Sequence, residues 1–201
     1  MAAIGRSGIA ATILTSSFCI ARHSTFCIHH SALPMKLGQI KSGELVVIDA
    51  NILVYANQQK SQECIQLLGR CARGEVKAIV PMPMVAELMH TLMLIEAREN
   101  GWIDRPNPSR VLSEKPELVQ RLTNYEKQMR QFFGIGLRLE SVATVDLIEA
   151  LGIQREFGLL TNDSLLVAIA RRLSCDSIAS ADVAFEKLRG FMVYAPDDLR
   201  D

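Results

Sequence analysis

The run Leu45-Val46-Val47-Ile48 is wholly apolar, three of its four residues are β-branched, and it stops abruptly at Asp49-Ala50-Asn51. A strand with one wet face alternates polar and apolar residues; a run with no polar member is buried on both faces. That burial requires helices above and below the sheet, the condition met by parallel sheets. Asp49 then falls at the carboxyl edge, where charge first becomes affordable. Ala78 to Val80, Leu137 to Ser141, Ser177 to Ser180 and Phe191 to Tyr194 are further short strand candidates.

Helical periodicity fills the intervals. Ile52 to Tyr55 reads as a first turn or two, and Ser61 caps a helix that Gly74 stops. A helix is expected from about Met84 to Asn100. The three prolines between Gly101 and Pro116 suggest a loop, and Glu117 to Phe133 a single amphipathic helix. Val145 to Phe157, Asn162 to Leu173 and the short Val183 to Leu188 complete the set. Strands alternating with helices define an α/β fold, a central and mainly parallel β-sheet flanked by helices.

The 201 residues suit one domain with a tail. Residues 1–43 hold Arg6, Arg22, Lys36 and Lys41 and no acid, so the rest carries 18 basic and 22 acidic residues. This first stretch lacks a clean period and is expected to be a disordered tail or non-native extension, with the domain proper at 44–201. His23, His29 and His30 within it are then not ligands. An acidic body argues against simple electrostatic binding of nucleic acid, and any phosphate ligand needs local basic residues or bound cations. The five cysteines include no CxxC pair, which excludes the usual zinc patterns. Their odd number and irregular spacing fit a reducing, cytoplasmic location. No apolar run is long enough to span a bilayer.

Four acids stand just past strands or at helix starts: Asp49, Glu87, Asp163 and Asp182. Each alone is explained as a helix cap or first-turn acid. Together they fall where open α/β sheets bind ligands, at the carboxyl ends of the strands. Two carboxylates at about 5 Å repel by roughly 3 kcal/mol at an effective dielectric of 20. A hard divalent cation, Mg²⁺ or Mn²⁺, would offset that cost and accept the all-oxygen donor set.

Val46-Val47-Ile48-Asp49-Ala50-Asn51-Ile52-Leu53 resembles the opening motif of PIN-domain nucleases. Val85-Ala86-Glu87-Leu88, Leu160-Thr161-Asn162-Asp163-Ser164-Leu165-Leu166-Val167-Ala168 and Ile178-Ala179-Ser180-Ala181-Asp182-Val183-Ala184-Phe185 are similar to the second, third and fourth acidic motifs. The resemblance spans about Leu45 to Pro196. It implies a PIN-like fold and a Mg²⁺- or Mn²⁺-dependent ribonuclease, a hydrolase of RNA phosphodiester bonds. It makes Asp49, Glu87, Asp163 and Asp182 the catalytic, metal-binding acids and Asn51 and Ser180 their polar supports. Single-domain members of this size are often VapC-like toxins of toxin–antitoxin pairs, which implies an antitoxin partner and a homodimer. Two departures stand out. Ala184 occupies a place where many members have a further acid, and the stretch from Gly101 to Phe133 is long for the smallest toxins.

Arg155, Arg171, Arg172 and Lys187 are candidates for steering phosphate, set against the plainer reading of solvated helix surface. A PIN-like scaffold without catalysis is the competing function. An aspartyl phosphatase is a weaker one, because that chemistry wants an acid where Asn51 stands.

Overall fold

The structure, a computed structural model, describes residues 34–103 and 108–199. Six strands form one sheet in the order β1-β6-β5-β2-β3-β4, every neighbouring pair parallel. They are β1 (Met35–Lys36), β2 (Leu45–Ile48), β3 (Lys77–Pro81), β4 (Arg138–Glu140), β5 (Ser177–Ala179) and β6 (Met192–Ala195). The apolar run lies in the middle of the sheet as β2, between β5 and β3, with Val46, Val47 and Ile48 fully buried. From β2 the chain steps to β3 and β4 on one side, then returns as β5 on the other. The switch point of this sheet is therefore the gap between β2 and β5, and Asp49 opens onto it from the end of β2.

The helices are α1 (Ala50–Asn57), α2 (Gln62–Ala72), α3 (Met82–Glu99), α4 (Pro108–Ser113), α5 (Pro116–Val119), α6 (Asn124–Gly134), α7 (Thr144–Phe157) and α8 (Thr161–Arg172). Two short 3₁₀ turns, Leu37–Gln39 and Val183–Lys187, join them. Residues Ser164 to Ala170 of α8 are buried without a break, on every side of the helix. A helix apolar all round must be enclosed, and α8 packs against both α3 and α7. Among the described residues, no helix is long and apolar enough to cross a membrane.

The structure corrects three expectations. The folded unit does not start at residue 44: β1 pairs with β6, and Leu37 and Ile40 are buried in the main core. The remainder of the expected tail, with the three histidines and with Cys19 and Cys27, lies outside the described residues. The loop expected between Gly101 and Pro116 contains α4, because a proline fits the first turn of a helix, where its missing N–H has no intrahelical partner. The single helix expected over Glu117 to Phe133 is broken into α5 and α6. Glu96, buried on α3, accepts hydrogen bonds from the backbone N–H groups of Thr123, Asn124 and Tyr125, and so starts α6 afresh. A small second core of Ala97, Ile103, Leu112 and Leu122 fixes this segment over the far end of α3.

Candidate functional site

Asp49 takes the N-cap position of α1 but makes no side-chain cap. Its carboxylate is 5% exposed and is held by two neighbours. Ser180 Oγ donates to Asp49 Oδ2 at 2.5 Å, and Asn51 Nδ2 donates to the same oxygen at 2.7 Å. Asn51 also donates to Ser180 Oγ at 3.2 Å and accepts from the N–H of Ala181 at 3.1 Å. The N–H of Asp182 donates to Ser180 Oγ at 3.0 Å. One closed network thus joins the ends of β2 and β5 across the switch point, and it includes both residues expected to support the site.

The other acids approach from the helices. Glu87 sits on the second turn of α3, because that helix begins at Met82, earlier than the pattern suggested. Its carboxylate accepts from Asn162 Nδ2 on α8 at 2.8 Å. Asp163, in the first turn of α8, is half-buried and accepts from the backbone N–H of Leu160. Asp182 accepts from the N–H of Ala184 at 2.7 Å and caps the 3₁₀ turn Val183–Lys187. The ordinary capping explanation therefore holds in part for Asp163 and Asp182, and fails for the buried Asp49.

Asp49 and Asp163 feel the charges of other acids of the set. Burial pushes the Asp49 carboxyl up to about 6 against the pull of Ser180 and Ala50, and the charges of Asp163 and Glu87 push it the same way. Burial also raises Asp163, followed by repulsion from Asp182 and Glu87; its bond to Leu160 and the charge of Lys187 act in the opposite sense. Residues up to 133 positions apart in sequence are thereby gathered at one rim. Their hard, anionic, all-oxygen donor set fits a divalent cation such as Mg²⁺ or Mn²⁺ by charge and chemistry. The side chains are not drawn into a closed ligand set: among the described residues, no three His, Cys, Asp or Glu groups stand ready-made to hold an ion. Glu87 and Asp182 are exposed, and their side chains would have to turn inward to complete one.

The four basic candidates divide. Arg171 and Arg172 end α8, on the far side from Asp163, and are engaged in ion pairs. Arg171 contacts Glu149 at 2.8 Å and Glu156 at 4.0 Å; Arg172 contacts Asp146 at 2.7 Å and Glu140 at 2.9 Å. Their guanidinium groups already neutralise fixed acids, in keeping with the plainer reading of a helix surface. Arg155 is exposed on α7. Lys187 lies near enough to act on Asp163. The residue that sequence reasoning missed is Asn162, which holds Glu87. Its position beside Asp163 was the available signal, but a polar residue at a helix start is ordinary.

The arrangement is that of an all-parallel α/β domain with an acidic site at the switch point of its sheet. The sequence model of the PIN domain matches residues 46–190, and the chain belongs to the PIN-domain family, a family of nucleases. No curated protein matches it in sequence. Among solved structures, a chain of VapBC2 from Rickettsia felis, crystallised with a DNA fragment from their promoter, is similar at a TM-score of 0.53 and 13% identity, covering 76% of this chain and 99% of that one. A toxin-antitoxin complex from Klebsiella pneumoniae gives 0.48 and 13%, covering 73% and 94%. FitAcB from Neisseria gonorrhoeae gives 0.40 and 13%, covering 78% and 99%. At such identity the first likeness establishes the fold.

Proposed function

We propose that this chain is a Mg²⁺- or Mn²⁺-dependent endoribonuclease and the toxin of a toxin–antitoxin pair. The observation that carries the reading is the gathering of Asp49, Glu87, Asp163 and Asp182 at one rim, where burial and the neighbouring acids hold Asp49 and Asp163 above the usual carboxylate range. Folding alone gives no reason to assemble acids in this way, whereas a dication repays it.

Bound there, the cation supplies a more acidic water and positive charge opposite the phosphate. The chain's residues do the rest. Asp49 is ionised above about pH 6 and is fixed in direction by Ser180 and Asn51. Asn162 orients Glu87. Asp163 and Asp182 bring charge from α8 and from the loop after β5. Water attacks the phosphorus in line and the 3′-oxygen leaves, giving a 5′-phosphate and a 3′-hydroxyl.

The likeness in fold to VapBC2 supports an antitoxin partner in this reading. The expected homodimer is consistent with α7, where Leu147, Ile148 and Leu151 are exposed. The buried free thiols Cys64, Cys71 and Cys175 accord with the cytoplasm. Cleavage of single-stranded RNA with Mg²⁺, its loss with EDTA and its loss in Asp49→Asn test the reading. A second reading, a PIN scaffold without catalysis, is favoured by the open spacing of the acids. Metal binding with no RNA turnover by the pure chain would select it.

A further inference from the structure

Beside the acidic rim, four helices leave a cavity of about 450 Å³, within the range of small-ligand sites. Leu53 on α1 and Leu88 and Leu92 on α3 form its buried floor, and α2 and α6 stand as walls. The cavity belongs to the helices that follow the first two acidic motifs. Leu88 comes directly after Glu87, and Leu53 lies four residues beyond Asp49, about 6 Å of helix rise. A strand whose phosphate meets Asp49 can therefore lay a neighbouring base over this opening.

The lining carries no ionisable side chain. Its polar members are four amides, Asn57, Gln59, Gln128 and Gln131. Asn57 Oδ1 accepts from Gln58 Nε2 at 2.9 Å, whereas the side chains of the three glutamines make no hydrogen bond with another described residue. Gln59 is also strained. It holds φ at 54°, in the left-handed region, where the N–H of Lys60 reaches back to the carbonyl of Tyr55 and closes α1. Glycine is the usual residue at that position, so a side chain is kept there at a cost.

Chemistry narrows the occupant. With no cation in the lining, a sugar–phosphate backbone gains nothing by entering. A wholly apolar occupant, such as the face of a protein helix, would strip water from the amides and give nothing back. A nucleobase satisfies both halves of the lining: its faces meet the leucines and the ring of Phe132, and its edge meets the amides. Guanine is matched by arginine or lysine and cytosine by a carboxylate, and the lining holds neither. Adenine, with a donor beside an acceptor, is matched by glutamine or asparagine. Building on the nuclease reading, we infer that this cavity receives an adenine of the RNA strand beside the scissile phosphate, with Gln59 and Gln128 reading its edge, and so sets the sequence preference.

The test uses the full chain and short fluorescein-labelled oligouridylates, either all-uridine or carrying one central adenosine, guanosine or cytidine. Binding is measured with Ca²⁺ in place of Mg²⁺, and cleavage of the same strands with Mg²⁺. The adenosine strand should bind about tenfold tighter than the other three, the discrimination of one bidentate amide–adenine contact. Gln128→Ala should bring the four strands level without weakening the all-uridine one. Gln59→Gly should do the same and melt no lower than wild type, because glycine adopts the left-handed conformation freely. Gln66→Ala, on α2 outside the cavity, should leave the preference intact. Equal binding of the four strands by the wild-type chain, as expected of a groove kept for a protein segment, overturns the inference. So does a preference for another base, or an adenosine preference that survives both substitutions. Mg²⁺-dependent cleavage then leaves the nuclease reading standing. A chain that neither binds nor cleaves any of the strands overturns both.

Discussion

The two ends of α8 treat acidic side chains in opposite ways. At its carboxyl end, Asp146, 1% exposed, and Glu140 are met by Arg172, and Glu149 and Glu156 by Arg171. Hydrogen bonding to Arg172 holds the Glu140 carboxyl below the usual range. At its amino end, some 12 Å away at 1.5 Å per residue, Asp163 joins Asp49, Glu87 and Asp182 with Lys187 as the cation acting on it. Burial and like charge there hold Asp49 and Asp163 above the usual range. One end is a stabilising lattice of ion pairs. The other is a standing electrostatic cost of the kind that marks a candidate binding site.

The largest expected effect falls at the amino end. Asp49→Asn should lower metal-dependent RNA cleavage by roughly a thousandfold or more while circular dichroism stays native. Cleavage surviving in a contaminant-free preparation would remove Asp49 from the chemistry and erase the contrast.

The same substitution should stabilise the metal-free protein. With a folded pKa of about 6 against an unfolded value near 3.9, the native state binds the Asp49 proton more tightly. Stability from this group is complete below about pH 4 and is lost as pH rises through about 6, amounting to about 3 kcal/mol at neutral pH. Melting in EDTA should show Asp49→Asn above wild type at pH 7 and level with it near pH 4. A wild-type chain that is the more stable at pH 7 contradicts the assigned strain.

Ser180→Ala leaves Asp49 without its 2.5 Å donor and the N–H of Asp182 without its acceptor. Mn²⁺ affinity should fall about 10- to 100-fold, the usual cost of losing a group that orients a ligand. Unaltered affinity would mean that the network serves the fold alone.

Arg172→Ala sharpens the comparison from the other end. It leaves Asp146 buried without its guanidinium, and urea unfolding should show a loss of about 2 kcal/mol, below the full cost of a buried pair because Arg172 is partly exposed. The salt dependence of RNA binding should not change. Smaller still, Glu96→Gln should cost about 1 kcal/mol, because a neutral amide oxygen accepts the three N–H groups at the start of α6 more weakly than a carboxylate.

Much of this contrast was legible beforehand, and part of it was misread. The four acids announce themselves by following buried strands or opening helices. The arginines at the end of α8 carry the same charge as Lys187, and sequence offers no means of telling a paired cation from an available one. That difference depends on Glu140, Asp146, Glu149 and Glu156, which reach α8 only when α7 and β4 pack beside it. Asn162 was hidden for the same reason, since Glu87 lies 75 residues away on another helix.

Local chemistry dictated the strands, most of the helices and the parallel α/β class, because an unbroken apolar run such as Val46 to Ile48 has nowhere to go but a sheet covered on both sides. It also dictated which acids end those strands. Packing alone decided that β1 extends the sheet before residue 44, that the carboxylate of Glu96 restarts a helix at Asn124, and that the acids at one end of α8 are neutralised while those at the other repel. Periodicity is written over a few neighbouring residues, whereas electrostatic balance is struck between groups that meet only once the chain has folded.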